Sequence, residues 1–96
     1  MKLLTKEIEK KLPAFYETEE IPIAEKIVQV KYFCPWGSLT WYGVEFDPKT
    51  NVFFGFEAIA GEWGYFSLNE LAEITHSSGL KIERDMYFQP KPFKEL

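Results

Sequence analysis

The chain has 96 residues, a net charge of −4 and an 18% share of aromatic residues, and these values limit what the protein can be. The length predicts one domain over residues 1–96, and the single cysteine, Cys34, excludes an intramolecular disulfide and therefore a secreted, disulfide-stapled scaffold. The acidic balance argues against nucleic acid as the main ligand, because Lys and Arg side chains bind a phosphate backbone.

The first segment, TKEIEKKL from Thr5, has the pattern of a short amphipathic helix. Thr5 is a favoured N-cap residue, Ile8 and Leu12 are four residues apart, and Pro13 ends the pattern. Charges interrupt every apolar run in this region, so we find neither the continuous core of a signal peptide nor a membrane span. We therefore expect a cytoplasmic protein. Residues 14–25 follow no period and predict a surface loop.

Three segments after this loop alternate apolar and polar residues as β-strands do: residues 26–34, 39–46 and 52–60. The turn-forming residues DPKTN separate the second segment from the third and predict a β-hairpin. A register in which Phe46 faces Val52 would also place Tyr42 opposite Phe56 and Val44 opposite Phe54 on the same face.

This register divides the sheet into an even-numbered and an odd-numbered face. We expect the core to use the even face, whose apolar members include Val28, Val30, Tyr32, Leu80, Ile82 and Met86. The odd face carries Phe33, Trp41 and Phe53 together with Lys31, Glu45 and Glu57. We expect helices to cover part of the odd face, because so many aromatic rings would otherwise form an exposed apolar patch.

A second helix begins after Ser67, where Ser67 and Glu70 have the spacing of a capping box. We predict about ten residues, ending near His76, and Gly79 suits a left-handed position after the helix. A last strand follows in LKIERDMY, and the proline-rich tail should be extended. The fold class is therefore α+β: an antiparallel sheet of about four strands in the order helix, three-strand meander, helix, strand, packed with two helices.

Residue types that carry chemistry are scarce in this chain. One cysteine and one histidine, 42 positions apart, do not form a zinc ligand set, and no glycine-rich phosphate loop is present. We interpret Cys34 as a buried structural thiol and His76 as a cation near a helix carboxyl end. We predict no catalytic, metal-binding or cofactor-binding residue and no cofactor, so an enzymatic function is disfavoured.

The more informative residues are tryptophans and glutamates in and beside the central hairpin. Residues 39–70 carry five acidic residues against Lys49 alone. Tryptophan next to glycine in a turn is a frequent interface anchor. The candidate partner-binding residues are Trp36, Trp41, Glu45, Glu57, Glu62 and Trp63. The predicted register places Glu57 opposite Trp41 and Glu45 opposite Phe53, and a small hydrolase that uses these glutamates is the least favoured alternative.

The amino-terminal lysines support another alternative, a nucleic-acid-associated accessory factor. Lys2, Lys6, Lys10 and Lys11 give residues 1–12 a local excess of positive charge, and Lys6 and Lys10 share a helical face. Aromatic side chains can stack on single-stranded bases, although such sites need a basic groove. The overall charge disfavours this alternative without removing it.

Several segments resemble one known family in the order of their residues as well as in composition. LLTKEIEKKLP, TWYGVEFDP, GEWGYFSLNEL and IERDMYFQPKP are similar to the bacterial and phage family catalogued as domain of unknown function 2958. The resemblance runs nearly end to end and implies no activity, cofactor or catalytic residue. It implies a setting on plasmids, phages and other mobile elements. Together with the residues above, it leads us to expect a non-enzymatic interaction module whose acidic, aromatic surface binds a protein partner.

Overall fold

The computed structural model describes residues 1–96 as two α-helices, seven β-strands and two 3-10 turns. The helices are α1 (Lys6–Lys11) and α2 (Leu68–Glu73), and the 3-10 turns are Ile23–Glu25 and Phe93–Glu95. The strands are β1 (Ile27–Val28), β2 (Val30–Phe33), β3 (Thr40–Asp47), β4 (Val52–Glu57), β5 (Glu62–Ser67), β6 (Glu83–Arg84) and β7 (Lys91–Pro92).

Five of these strands form one antiparallel sheet in the order β5-β4-β3-β2-β6, and β1 pairs with β7 in a separate two-stranded sheet. The mixed α+β class predicted from the sequence is confirmed. The prediction of about four strands was wrong, since EWGYFS, where no strand was predicted, forms β5. The predicted last strand shortens to Glu83–Arg84, and the proline-rich tail supplies β7.

Both predicted N-caps are confirmed. Thr5 Oγ1 accepts a hydrogen bond from Ile8 N at 3.2 Å, and Ser67 Oγ accepts one from Glu70 N at 3.2 Å. The second helix has six residues where about ten were predicted, because the chain leaves the helix at Ile74. Gly79 has the expected positive φ of 95°, but it lies in a turn closed by Thr75 and Lys81.

A β-bulge between Gly43 and Glu45 changes the register of the central hairpin. Before the bulge, Tyr42 faces Phe56, as predicted, but after it Phe46 faces Phe53. Gly43 has no side chain at a point where a Cβ would lie 2.8 Å from the ring of Phe53. The strand accommodates an extra residue here, so the predicted pairs of Phe46 with Val52 and Val44 with Phe54 were wrong.

Both helices pack on one face of the sheet, which we call the helix face. The core cluster on this face consists of Val30, Tyr32, Cys34, Trp41, Phe46, Phe53, Leu71 and Ile82. Helix residues such as Ile8 and Leu68 pack against it. The buried thiol of Cys34 and the buried Ile82 confirm those predictions. Leu80 and Met86 are 44% and 66% exposed, so their predicted place in the core was wrong.

The opposite face, which we call the loop face, is covered by irregular segments of the chain. Phe93 in the tail packs on Phe56 and Trp63, with ring centroids 4.8 Å and 4.9 Å apart. Phe15 in the loop packs on Tyr65 at 5.3 Å. The residues predicted to share an odd face are therefore divided: Trp41 and Phe53 lie on the helix face, while Glu45 lies on the loop face.

Candidate interaction surface at the β5 edge

Strand β5 lies at one edge of the sheet, and its outer side pairs with no other strand. Leu68 N donates to Asn51 O at 2.9 Å, immediately beyond the paired residues Val52 and Ser67. Because bonded and non-bonded pairs alternate in an antiparallel ladder, this bond directs the backbone groups of alternate β5 residues toward β4: Glu62, Gly64 and Phe66. The N–H and C=O groups of the intervening Trp63 and Tyr65 point outward, away from the sheet.

Beside this edge, on the loop face, lies a cleft of about 280 Å³. We call it the tyrosine cleft, and its lining includes Tyr16, Ile23, Lys26, Phe54, Trp63 and Tyr65. Tyr16, Tyr65 and Ile23 are 68%, 58% and 52% exposed. The cleft is thus a group of large apolar side chains open to solvent, with the sheet on one side and the loop of residues 13–26 on the other.

Glu45 holds that loop against the sheet. Its side chain is 4% exposed, and its carboxylate accepts hydrogen bonds from Tyr16 N at 2.9 Å and from Thr18 N at 3.1 Å. The Thr18 hydroxyl donates to the same carboxylate, and the buried Lys26 Nζ donates to Thr18 O and Thr18 Oγ1. Thr18 therefore bridges a buried anion and a buried cation, and the atoms of Glu45 are occupied in supporting the cleft wall.

The two tyrosines at the mouth of the cleft are also fixed by local interactions. Tyr16 has a φ of 72°, a left-handed conformation that is uncommon outside glycine, and its N–H is held by Glu45. The hydrogen bond with the Tyr16 side chain raises the pKa of Tyr65 above its usual value. Glu45 therefore holds the backbone of Tyr16, which places its side chain in the lining of the cleft with Tyr65.

On the helix face, β5 borders a second cavity of about 190 Å³. We call it the glutamate groove, and its lining includes Trp41, Gly55, Glu57, Glu62, Gly64 and Phe66. Glu57 lies directly opposite Trp41 on one side and Glu62 on the other. Glu57 Oε2 also accepts a hydrogen bond from Ala60 N at 2.5 Å, which closes the turn between β4 and β5.

The remaining predicted residue, Trp36, lies apart from both cavities. Its indole packs against the ring of His76, with centroids 5.2 Å apart, and it contacts the edge of the core. His76 Nδ1 accepts a hydrogen bond from Ser78 N at 3.1 Å, inside the turn that follows α2. Among the six candidate residues, Trp41, Glu57, Glu62 and Trp63 line the glutamate groove, and Glu45 and Trp63 line the tyrosine cleft.

The three glutamates do not form a single acid–base cluster. Glu57 and Glu62 face the glutamate groove, whereas Glu45 is buried on the opposite side of the sheet with its oxygens bonded to the loop. His, Cys, Asp and Glu side chains form no group of three or more that could hold a metal ion.

Sequence reasoning missed Tyr16, Ile23 and Tyr65, which contribute most of the exposed apolar surface of the tyrosine cleft. The alternation of Trp63, Gly64 and Tyr65 was a usable strand signal, but the neighbouring glycines were read as turn residues. Nothing in the local sequence placed Tyr16 or Ile23 beside β5, since long-range hydrogen bonds to Glu45 bring their loop to the sheet.

The other edge of the sheet, β6, is covered by the amino terminus. Arg84 N donates to Met1 Sδ at 3.3 Å, Arg84 Nη1 donates to Lys2 O, and the buried Tyr32 hydroxyl donates to Leu3 O at 2.7 Å. A wider cavity of about 570 Å³ lies here, between the first residues and Leu80. It contains none of the six candidate partner-binding residues.

The structure thus defines a small α+β protein with one free strand edge, a tyrosine cleft on one side of that edge and a glutamate groove on the other. Residues 3–93 match the model of a family described as "Protein of unknown function (DUF2958)", and the chain belongs to that family. No curated protein and no solved structure matches the chain. Neither helix has the length and apolar character needed to cross a membrane.

Proposed function

We propose that this protein is a non-enzymatic interaction module that binds a protein partner at the β5 edge. The observation that carries the proposal is the exposure of Tyr16, Ile23 and Tyr65 around one cleft, beside a strand whose outer backbone groups are unpaired. Exposed aromatic clusters and free strand edges are both features that proteins usually protect or use for binding. Trp63 and Tyr65 line both cavities, so strand β5 lies between them.

A protein partner suits this surface better than nucleic acid does. The glutamate groove is lined by Glu57 and Glu62 and by no arginine or lysine, and Lys26 in the tyrosine cleft is buried, so a phosphate backbone would be repelled. On α1, Lys6 and Lys10 share a face with Glu9 beside them, and Glu7 lies in the same helix, so the two carboxylates offset part of the basic charge there. The resemblance of the sequence to a family from mobile elements adds a bacterial, cytoplasmic context in which the partner comes from the host cell or from the element.

Site-specific photo-cross-linking tests this proposal in cells. A photoreactive phenylalanine analogue at position 65 should trap a defined protein, whereas the same analogue at position 87 should not trap it. Tyr87 is a matched control because it is an exposed tyrosine, 93% accessible, located next to the opposite edge of the sheet. Identical cross-links from both positions, or none from position 65, would contradict partner binding at the β5 edge.

A further inference from the structure

The geometry points to a more specific partner: an extended peptide segment, with apolar residues alternating with Lys or Arg, that adds to the sheet as a sixth strand beside β5. This inference rests on the proposed function and names the chemistry of the partner. The outward N–H and C=O groups of Trp63 and Tyr65 provide the hydrogen bonds that an added strand requires.

The two cavities beside β5 determine which side chains such a strand should carry. Successive residues of a strand point to opposite faces of a sheet, and neighbouring strands lie about 4.8 Å apart. Residues of the added strand that face the same way as Trp63 and Tyr65 would lie beside the tyrosine cleft. Those cross-strand neighbours favour aromatic or aliphatic side chains.

The residues that point the other way would lie beside the glutamate groove. Glu57 and Glu62 occupy neighbouring strands there, and the ion pairs of the chain, Lys31 with Asp85 and Lys94 with Glu25, involve neither of them. A Cβ added at Gly64 would meet no atom within 4 Å, so a long side chain can lie across this position. Lys or Arg on the added strand would bring positive charge to the two carboxylates.

A second copy of this chain is a less suitable occupant of the edge. In an antiparallel β5-to-β5 pairing, the helix face of the second strand would present Glu62, Gly64 and Phe66. Such pairing brings no cation to the glutamate groove, and it joins two chains that each carry a net charge of −4. Charge complementarity therefore favours a basic segment from another protein.

Two synthetic peptides of equal length and composition test the alternation. The first repeats Lys-Val-Lys-Phe, and the second groups the lysines at one end and the apolar residues at the other. We expect the alternating peptide to bind at least about tenfold more tightly in a titration followed by nuclear magnetic resonance. Bound peptide should also slow hydrogen exchange at the amides of Trp63 and Tyr65 more than at Gly64. Equal binding of both peptides, or no binding at millimolar concentration, would overturn the inference.

A pair of substitutions at position 65 tests whether the backbone takes part. Tyr65→Ala and Tyr65→Pro both remove the phenol ring, but only proline removes the outward N–H, and neither interrupts the hydrogen bonds to β4. We expect Tyr65→Pro to bind the alternating peptide about tenfold more weakly than Tyr65→Ala. Equal affinities would contradict strand addition. A peptide with N-methylated alternate residues gives the same test on the wild-type protein if the proline variant does not fold.

Charge reversal tests the glutamate groove. Glu62→Lys should weaken binding of the alternating peptide about tenfold, whereas Glu73→Lys, with the same change in net charge on the exposed end of α2, should change it less than twofold. Equal effects would show that only net charge matters and would overturn the assigned orientation.

The outcomes separate this inference from the function on which it rests. If cross-linking traps a partner and Tyr65→Pro captures it as well as Tyr65→Ala does, partner binding stands and strand addition fails. If the purified chain is a dimer that Tyr65→Pro dissociates, a second copy occupies the edge and the inference is overturned.

Discussion

The two edges of the five-stranded sheet differ in whether another part of the chain covers them. At β6, the two paired residues are covered by the amino terminus, and Arg84 bonds to backbone and side-chain atoms of the first residues. At β5, six residues pair with β4 on one side and with nothing on the other. The longer edge therefore presents unpaired backbone groups between a cleft and a groove, whereas the shorter one does not.

The largest expected effect concerns the wall of the open edge. Glu45→Ala removes the acceptor of two backbone N–H groups and leaves Lys26 without its relayed anion, so we expect a loss of about 3 kcal/mol in the free energy of unfolding. Urea denaturation measures this loss. Glu62→Ala, at an exposed position on the same sheet, should change stability by less than about 0.5 kcal/mol. Similar losses in both variants would show that Glu45 does not hold the loop.

The second prediction concerns the removal of the residues that cover the β6 edge. Deleting residues 1–3 removes the partners of Arg84 and the acceptor of the Tyr32 hydroxyl, and we expect a loss of about 2 kcal/mol. Hydrogen exchange at Arg84 N should accelerate while exchange at Gly64, on the far edge strand, follows only the global change. An unchanged rate at Arg84 would mean that the amino terminus does not protect β6.

The third prediction isolates one bond at the same edge. Tyr32→Phe keeps the ring that packs on Phe53 but removes the hydroxyl that donates to Leu3 O, and we expect a loss of about 1 kcal/mol at neutral pH. A loss as large as that of the deletion would assign the whole covering effect to this bond. No loss would remove Tyr32 from the anchoring of the amino terminus.

The buried phenol of Tyr32 also leads us to expect that the stability of the fold depends on pH. Burial raises the pKa of its phenol above the usual value near 10, so the folded state favours the neutral form. The contribution to stability is complete below pH about 10 and is lost as the pH rises above it. Urea midpoints at pH 9 and 11 should fall less in Tyr32→Phe than in the wild type. An equal fall in both would contradict the assignment.

The smallest effect belongs to the open edge itself. Gly64→Ala places a Cβ in open space within a strand, and we expect it to stabilise the fold by about 0.5 kcal/mol. Gly61→Ala also meets open space, but φ is 67° at that position, so we expect a loss of about 1 kcal/mol. Thermal melting of the two variants checks the opposite signs, and two changes of the same sign would contradict the expected backbone effect.

Local rules explain which parts of the fold were predictable. The N-caps at Thr5 and Ser67, the hairpin and the pairing of Tyr42 with Phe56 each depend on a few neighbouring residues, and all four are found. The alternation at Leu80 and Met86 gave a wrong core, because only two residues between them pair with β2, so alternation there is not accompanied by burial.

The site was predictable only in part. Glu57, Glu62 and Trp63 come to the β5 edge from within one hairpin, so their proximity follows from short connections. Tyr16 and Ile23 reach the same edge from a loop whose course depends on a buried carboxylate far along the chain. Sequence patterns reveal such a contact poorly, since neither its burial nor its hydrogen bonds follow a local period.

The bulge in β3 changes whether odd-numbered or even-numbered residues of the strand face the helices. Up to Gly43, odd-numbered residues such as Trp41 face the helices, and beyond it the even-numbered Phe46 does, while Glu45 turns toward the loop. In a regular ladder that included Val44, Glu45 would lie opposite Phe53 on the helix face and Phe46 would turn toward the loop. The unpaired Val44 at the bulge therefore keeps a carboxylate out of the aromatic core.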